Sequence, residues 1–417
     1  MNQTIKTRIE QIGRGEVPKG YRKTKAGIMP DAWLSDKIYK AKDVFYSVTN
    51  KKHNGQFEVL SATQDRGVIP RSQVDIDIKY SEESVSGYKK VDKGDFVISL
   101  RSFQGGIEYS EYEGLVSPAY TVLKNKLPIC DGYYKAYFKT NDYINRLNKG
   151  TYGIRDGKQV GFEDFGDMVI HYPSLAEQEK IAEILDTQDK LIALKEKRIA
   201  EKKQQKKYLM QQLLTGKKRL PGFTGEWKKV KLGACISEVN ERSKGNGGYD
   251  ILSVTKDGIF FQSEHFNKQI ASEDTTGYKI LKKGQLAFSS MNLWLGSLDV
   301  LDICEKGIIS PAYKVFAFDD ALMLPEFGKY FLRTHKMIWV YKSNSEQGAS
   351  VVRRNLDLES VLSTTIEIPI ITEQRAIVSI LSQTDKEIEL LQKDLEEEKN
   401  KKKALMQLLL TGIVRVV

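Results

Sequence analysis

Glu177-Gln178-Glu179-Lys180-Ile181-Ala182-Glu183-Ile184-Leu185 recurs 196 residues later as Glu373-Gln374-Arg375-Ala376-Ile377-Val378-Ser379-Ile380-Leu381. Each copy follows a proline, Pro173 or Pro369, and opens a long polar helix. Each helix closes on nearly one phrase, Leu209-Met210-Gln211-Gln212-Leu213-Leu214-Thr215-Gly216 and Leu405-Met406-Gln407-Leu408-Leu409-Leu410-Thr411-Gly412. Two copies of one unit in one chain present two similar surfaces related by an approximate twofold. That suits a two-part linear target such as DNA.

The repeat extends upstream of each helix. One globular half begins near Met29-Pro30-Asp31-Ala32-Trp33, the other near Leu220-Pro221-Gly222-Phe223-Thr224-Gly225-Glu226-Trp227. Residues 57–63 match 249–255, with the period-two alternation and β-branched content of strands. Gly87-Tyr88-Lys89 with Lys93-Gly94 matches Gly277-Tyr278-Lys279 with Lys283-Gly284, a turn leading into strands at 95–99 and 285–289. Ser117-Pro118-Ala119-Tyr120 then matches Ser310-Pro311-Ala312-Tyr313. The expected fold class is α/β: two similar domains of mixed short strands, separated by two long helices that form an antiparallel coiled coil. The boundaries read as 1–172 for the first domain with an N-terminal extension at 1–28, 173–217 for the central helix, 218–368 for the second domain and 369–417 for the C-terminal helix.

A three-four alternation gives each helix a seam. The first runs Ile181, Leu185, Gln188, Ile192, Lys195, Ile199, Lys202, Lys206, Leu209, Leu213, and the second Ile377, Leu381, Thr384, Ile388, Leu391, Leu395, Glu398, Lys402, Leu405, Leu409. Apolar ends around a charged middle make a seam too thin for an isolated helix and adequate for two helices packed together. About 40 residues at 1.5 Å each give a rod of roughly 60 Å. Since the second helix starts a whole repeat after the first, an antiparallel pair holding the domains at opposite ends is the economical arrangement.

The 417 residues carry a formal net charge of +10, which favours a polyanionic partner. Several lysine runs sit on helices, where solvated faces account for them equally well. Cys130, Cys235 and Cys304 are isolated, which excludes a conventional zinc cluster and points to a reducing cytoplasm. No secretory signal opens the chain and no apolar run approaches membrane-spanning length. Catalytic motifs are missing: there is no phosphate-binding Gly-x-x-x-x-Gly-Lys-Ser/Thr, no Gly-x-Gly-x-x-Gly and no Asn/Asp-Pro-Pro-Tyr/Phe. His53, His171, His265 and His335 are scattered singly and read as surface or core residues.

What diverges on the matched frames is more telling. After Val97-Ile98-Ser99 comes Leu100-Arg101-Ser102-Phe103-Gln104-Gly105-Gly106, and after Ala287-Phe288-Ser289 comes Ser290-Met291-Asn292-Leu293-Trp294-Leu295-Gly296. Arg, Gln, Asn and Ser are side chains that pair with base edges, so two tips on one frame would read two words. Arg101, Ser102 and Gln104 are the candidate readers of the first domain, and Met291, Asn292 and Trp294 of the second; ordinary divergent hairpin loops are the alternative reading of both segments. Before each helix, glycine stands beside arginine, with Arg155 and Lys158 in one half and Arg353 and Arg354 in the other. Guanidinium groups and backbone amides there suit phosphate and register. Turns closed by arginine fit either segment as well.

These features together resemble the specificity subunits of type I restriction-modification enzymes. Pro173-Ser174-Leu175-Ala176-Glu177-Gln178 and Pro369-Ile370-Ile371-Thr372-Glu373-Gln374 carry the resemblance, with Lys217-Lys218-Arg219-Leu220-Pro221-Gly222-Phe223 leading into the second domain. The second copy departs from the pattern by lacking a second proline at Ile370 or Ile371. The resemblance implies two target-recognition domains, no catalysis in this chain, and assembly with two methyltransferase subunits and, for cleavage, two restriction subunits. S-adenosylmethionine, ATP and Mg would then belong to those partners, with no cofactor or metal bound here and double-stranded DNA as target. A fused enzyme would need the absent motifs. A coiled-coil scaffold or an RNA-binding protein would not need divergent tips on matched frames.

Overall fold

The computed structural model describes residues 3–34, 37–53, 55–74, 85–150, 160–245, 248–265, 275–347 and 354–416. The chain divides into two compact units, residues 1–196 with 393–417, and residues 197–392. Each long helix is thus shared between the units, where the sequence boundaries treat it as a segment of its own.

The first unit contains β1 (Phe45–Val48), the hairpin of β2 (Leu60–Thr63) and β3 (Gly67–Pro70), β4 (Phe96–Ile98), β5 (Glu108–Tyr109) and β6 (Thr121–Asn125). A short helical turn, α1 (Ser102–Gly105), links β4 to β5, and α2 (Asp131–Tyr137) follows β6. Helix α3 (Leu175–Leu213) begins in this unit. The sheet is antiparallel with order β1-β6-β4-β5, and Val122 and Leu123 of β6 stand opposite Val97 and Phe96 of β4. All three residues of β4 are buried, because both faces of the strand are covered. Alternation sends Phe96 and Ile98 into a core with Phe45, Tyr134 and Phe138, and sends Val97 into a second core with Leu60, Val68 and Val122. Phe45 meets Tyr134 edge to face at 5.1 Å, a favoured aromatic geometry.

The second unit repeats this plan with different side chains. Its sheet is β7 (Ile236–Glu238), β10 (Leu286–Ser289), β11 (Leu298–Val300) and β12 (Tyr313–Phe318), in the equivalent order β7-β12-β10-β11, beside a hairpin of β8 (Leu252–Thr255) and β9 (Gly258–Phe261). Leu286 and Phe288 enter one core with Phe316 and Phe327, and Ala287 enters the other with Leu252, Val254 and Ile259. Helices α4 (Pro325–Phe331) and α5 (His335–Ser343) lead to a small hairpin of β13 (Ser345–Gln347) and β14 (Arg354–Leu356), and α6 (Ile371–Leu410) ends the repeat.

The doubled phrase has a doubled task. Gln178 is fully buried; its Oε1 accepts the Cys130 N–H and its Nε2 donates to the Pro173 carbonyl, both at 2.9 Å. Gln374 does the same with the Leu324 N–H and the Pro369 carbonyl, again at 2.9 Å. Glu177 accepts from Arg415 at 2.5 and 2.7 Å, and Glu373 accepts from Arg219 at 2.6 Å in both bonds. Each glutamine therefore supplies hydrogen bonds to backbone groups that packing cuts off from water, and each glutamate fastens the far end of the opposing helix. The missing second proline changes nothing here: α3 starts two residues after Pro173 and α6 two residues after Pro369.

Within each unit the helix segments run antiparallel. In the first, Gln188 Nε2 donates to Glu398 Oε2 at 2.6 Å, Lys195 pairs with Asp394 at 2.5 Å, and Lys402 pairs with Asp189. In the second, Lys202 pairs with Glu387 at 2.8 Å and Lys206 with Asp385. Rising numbers on one helix meet falling numbers on the other. Ile181, Leu185 and Leu409 are buried in the core of the first unit, and Leu213, Ile377 and Leu381 in that of the second; Ile388 is buried, while Ile192, Leu209 and Leu405 are half-buried. Partly exposed ion pairs contribute about 0.2–1 kcal/mol each, so the apolar ends hold the pairing and the charged middle sets its register.

Candidate nucleic-acid interface

The tip of the first domain is α1 itself. Arg101 is exposed at its N-terminal flank and Gln104 is exposed on the turn. Ser102, expected among the base readers, is instead 1% exposed. Its hydroxyl accepts the Ser99 N–H at 2.8 Å, so it builds the turn and is not offered to a base edge.

In the second domain the equivalent segment forms a 3-10 turn, Leu293–Leu295, packed against α5. Met291 is exposed, and Asn292 and Trp294 are half-buried. Arg354, placed in a separate segment by sequence, joins this tip. Its N–H donates to the Met291 carbonyl at 3.2 Å, and its guanidinium lies 4.9 Å from the centre of the Trp294 ring. A further bond of 3.2 Å to the Ser345 carbonyl fixes the group, so cation and aromatic ring form one amphipathic surface. Arg155, Lys158 and Arg353 lie outside the described residues.

His171 is a core residue. Its Nδ1 lies 2.7 Å from the Leu410 carbonyl and its Nε2 3.3 Å from that of Ala26; burial pushes its pKa down to about 4. Among the described residues no helix is long and apolar enough to cross a membrane, and no group of three or more His, Cys, Asp or Glu is placed to hold a metal ion.

A family profile described as type I restriction modification DNA specificity domain matches residues 36–204 and again 227–399. The chain belongs to this specificity family. The two matches span both α/β domains, and each runs into a long helix. Among curated members, the type I restriction enzyme MjaVIII specificity subunit of Methanocaldococcus jannaschii is 26% identical over 355 residues, which cover 78% of this chain and 80% of that one. Two solved structures share this fold. A chain from work on complex assembly and conformational transition of the type I R-M system superposes with a TM-score of 0.58 at 14% identity, covering 96% of this chain and all of that one. The HsdS subunit from Thermoanaerobacter tengcongensis gives a TM-score of 0.51 at 15% identity, covering 97% and 100%.

The sequence reading did not bring Arg354 to the second tip. It placed Arg354 with phosphate contacts, because nothing in the local sequence ties it to Trp294.

Proposed function

We propose that this chain is the DNA sequence-specificity subunit of a type I restriction-modification complex, with no catalysis of its own. One observation carries the reading: β4 and β10 hold the same place in the same sheet order, yet one leads into Arg101 and Gln104 on a helical turn and the other into a Met291, Trp294 and Arg354 surface. Each domain then reads one half of a bipartite asymmetric site. Arg101 and Gln104 suit the acceptors of guanine and adenine, and the second tip suits the methyl group of thymine.

The helix pair sets the unread spacer and docks two methyltransferase subunits. Leu194 and Leu390, 196 residues apart, are 66% and 67% exposed on these charged helices, as expected of side chains that an apolar partner surface covers. S-adenosylmethionine, ATP and Mg act in the partner subunits, and two restriction subunits join for cleavage, in the cytoplasm.

The test exchanges residues 95–116 for 285–309 in the chain co-expressed with its methyltransferase subunit, followed by sequencing of methylated sites. The first half-word should change and the second should stay. An unchanged first half-word, from a folded and active complex, would refute the assignment of the readers.

A further inference from the structure

One device outside the tips is built twice from different residues. In the first domain the β2–β3 hairpin turns through Gln64, Asp65 and Arg66, all exposed; in the second, β8–β9 turns through Lys256 and Asp257, also exposed. Threonine precedes each turn and glycine follows it, at Thr63 and Gly67 and at Thr255 and Gly258, while the residues between differ in kind and number.

Each turn is tied to the strand that leaves the tip. A carboxylate is buried on that strand, Glu108 on β5 at 2% exposure and Asp299 on β11 at 6%. A cation from just beyond α2 or α4 faces it. Lys139 Nζ lies 2.6 Å from Glu108 Oε1, while Arg333 Nη1 and Lys329 Nζ lie 3.9 and 4.0 Å from Asp299 Oδ1, a charge contact without a hydrogen bond. The same cation also donates to the hairpin turn: Lys139 to the Gln64 carbonyl at 3.1 Å, and Arg333 to the Lys256 carbonyl at 2.7 Å. Lys139 further donates to the Gly105 carbonyl of the tip at 2.8 Å.

Glycine permits the close approach in both domains. A Cβ on Gly67 would stand 2.6 Å from the Tyr109 carbonyl oxygen, and one on Gly258 would stand 2.8 Å from Asp299 Oδ2. Both glycines also have positive φ, at 75° and 136°. Burial raises the pKa of both carboxylates, that of Glu108 to about 7 against the opposing pull of Lys139. A buried carboxylate faced by a partly exposed cation adds little net stability, so its recurrence, as Glu108 with Lys139 in one domain and Asp299 with Lys329 and Arg333 in the other, points to what it holds in place. In each case that is an exposed, divergent turn whose hairpin packs on the strand that leaves the tip.

We propose that the turns Gln64–Arg66 and Lys256–Asp257 are second DNA-reading elements of the two domains, held against the strands that leave the tips by Lys139 and Arg333, which face the buried carboxylates of Glu108 and Asp299. The four paired residues are positioning residues. Gln64 and Arg66 offer donors to base edges, and Asp65 and Asp257 accept from the cytosine amino group. This inference rests on the specificity reading above.

The experiment uses the full chain in complex with its methyltransferase subunits, selecting bound molecules from a randomised duplex DNA library. Arg66→Ala and Gln64→Ala, both surface changes, should each relax discrimination at one or two base pairs of the first half-word by roughly ten- to a hundred-fold, leaving the second half-word intact. Lys139→Met should blur a block of the first half-word without changing affinity for non-specific DNA, and Lys139→Arg should restore it. A wild-type complex that selects no sequence would overturn the specificity reading and this inference with it. A wild-type complex that selects a bipartite word, with Arg66→Ala and Gln64→Ala selecting the same word at the same stringency, would overturn this inference alone. Uniform loss of affinity for all sequences in those two variants would do so as well, since it marks phosphate contact.

Discussion

Replacing Arg415 with alanine, two residues from the end of the chain, should loosen the first unit as a core mutation would. The Glu177 side chain is 3% exposed, and Arg415 donates two bonds to it at 2.5 and 2.7 Å. Without the guanidinium, the bond from Trp33 Nε1 at 2.9 Å remains to that carboxylate. Removing one partner of a buried pair costs about 3–5 kcal/mol. Arg415 is itself 24% exposed, which places the expected cost near the lower end, about 3 kcal/mol. The double variant Glu177→Gln, Arg415→Ala removes the stranded charge and keeps an acceptor for Trp33, so it should recover most of the loss. Hydrogen exchange followed by mass spectrometry on segments 26–34 and 171–185 reads the effect locally. At about 1.4 kcal/mol per tenfold, opening should be roughly a hundred-fold more frequent in Arg415→Ala. The equivalent change, Arg219→Ala, breaks two bonds of 2.6 Å to Glu373 and should act on the second unit to a similar degree. Unaltered exchange in Arg415→Ala, or a double variant no more protected than the single, would refute the reasoning that these pairs fasten the helix ends.

Leu381→Ala, at a fully buried position, should lower the stability of the second unit by about 2–5 kcal/mol, read from its urea midpoint. Leu185→Asp places a charge in the core of the first unit and should abolish co-purification with the methyltransferase subunit; a folded variant that still assembles would show that docking does not depend on this helix packing. The pKa of His171 falls from an ordinary value near 6.5 to about 4, so the fold favours the neutral ring. Its contribution is complete above pH 6.5 and is lost as pH falls toward 4, so melting of the first unit should drop between pH 7 and pH 5, with a shallower drop in His171→Gln. Inserting seven residues after Glu196 and seven after Gln392 keeps the seam phase and the ion pairs within each unit. The added rise of about 10 Å should lengthen the unread spacer by roughly three base pairs, and methylation at the original spacing alone would count against the helices as a ruler.

The repeat, the α/β class and the two long helices were legible because each is written in neighbouring residues. A period near 3.5 marks which face of a helix is apolar, and so Leu185 and Leu381 sit in buried seams. Alternation at 57–63 and 249–255 marks strands, and the repetition of one order of motifs marks two copies whatever their cores contain. The seam pattern alone did not say what its charged middle does. Lys195 finds Asp394 and Lys202 finds Glu387 only once the antiparallel register is chosen, and that register depends on where the chain returns after a whole domain.

The tips were legible as positions and less so as surfaces. Ser102 has the chemistry of a reader, but the backbone of its own turn claims the hydroxyl. Arg354 has the chemistry of a phosphate ligand and lies 60 residues from Trp294, and packing seats it over that ring. The pairs Glu108–Lys139 and Asp299–Arg333 were invisible for the same reason, since charged residues fill 29% of the chain and no local rule singles out which of them will be buried. Sequence by itself determined the elements and their repetition, because backbone hydrogen bonding and side-chain periodicity are local. Tertiary structure decided which polar groups are spent inside the fold and which are left for a partner, because burial, and the requirement that buried charges be paired, arise only when distant segments meet.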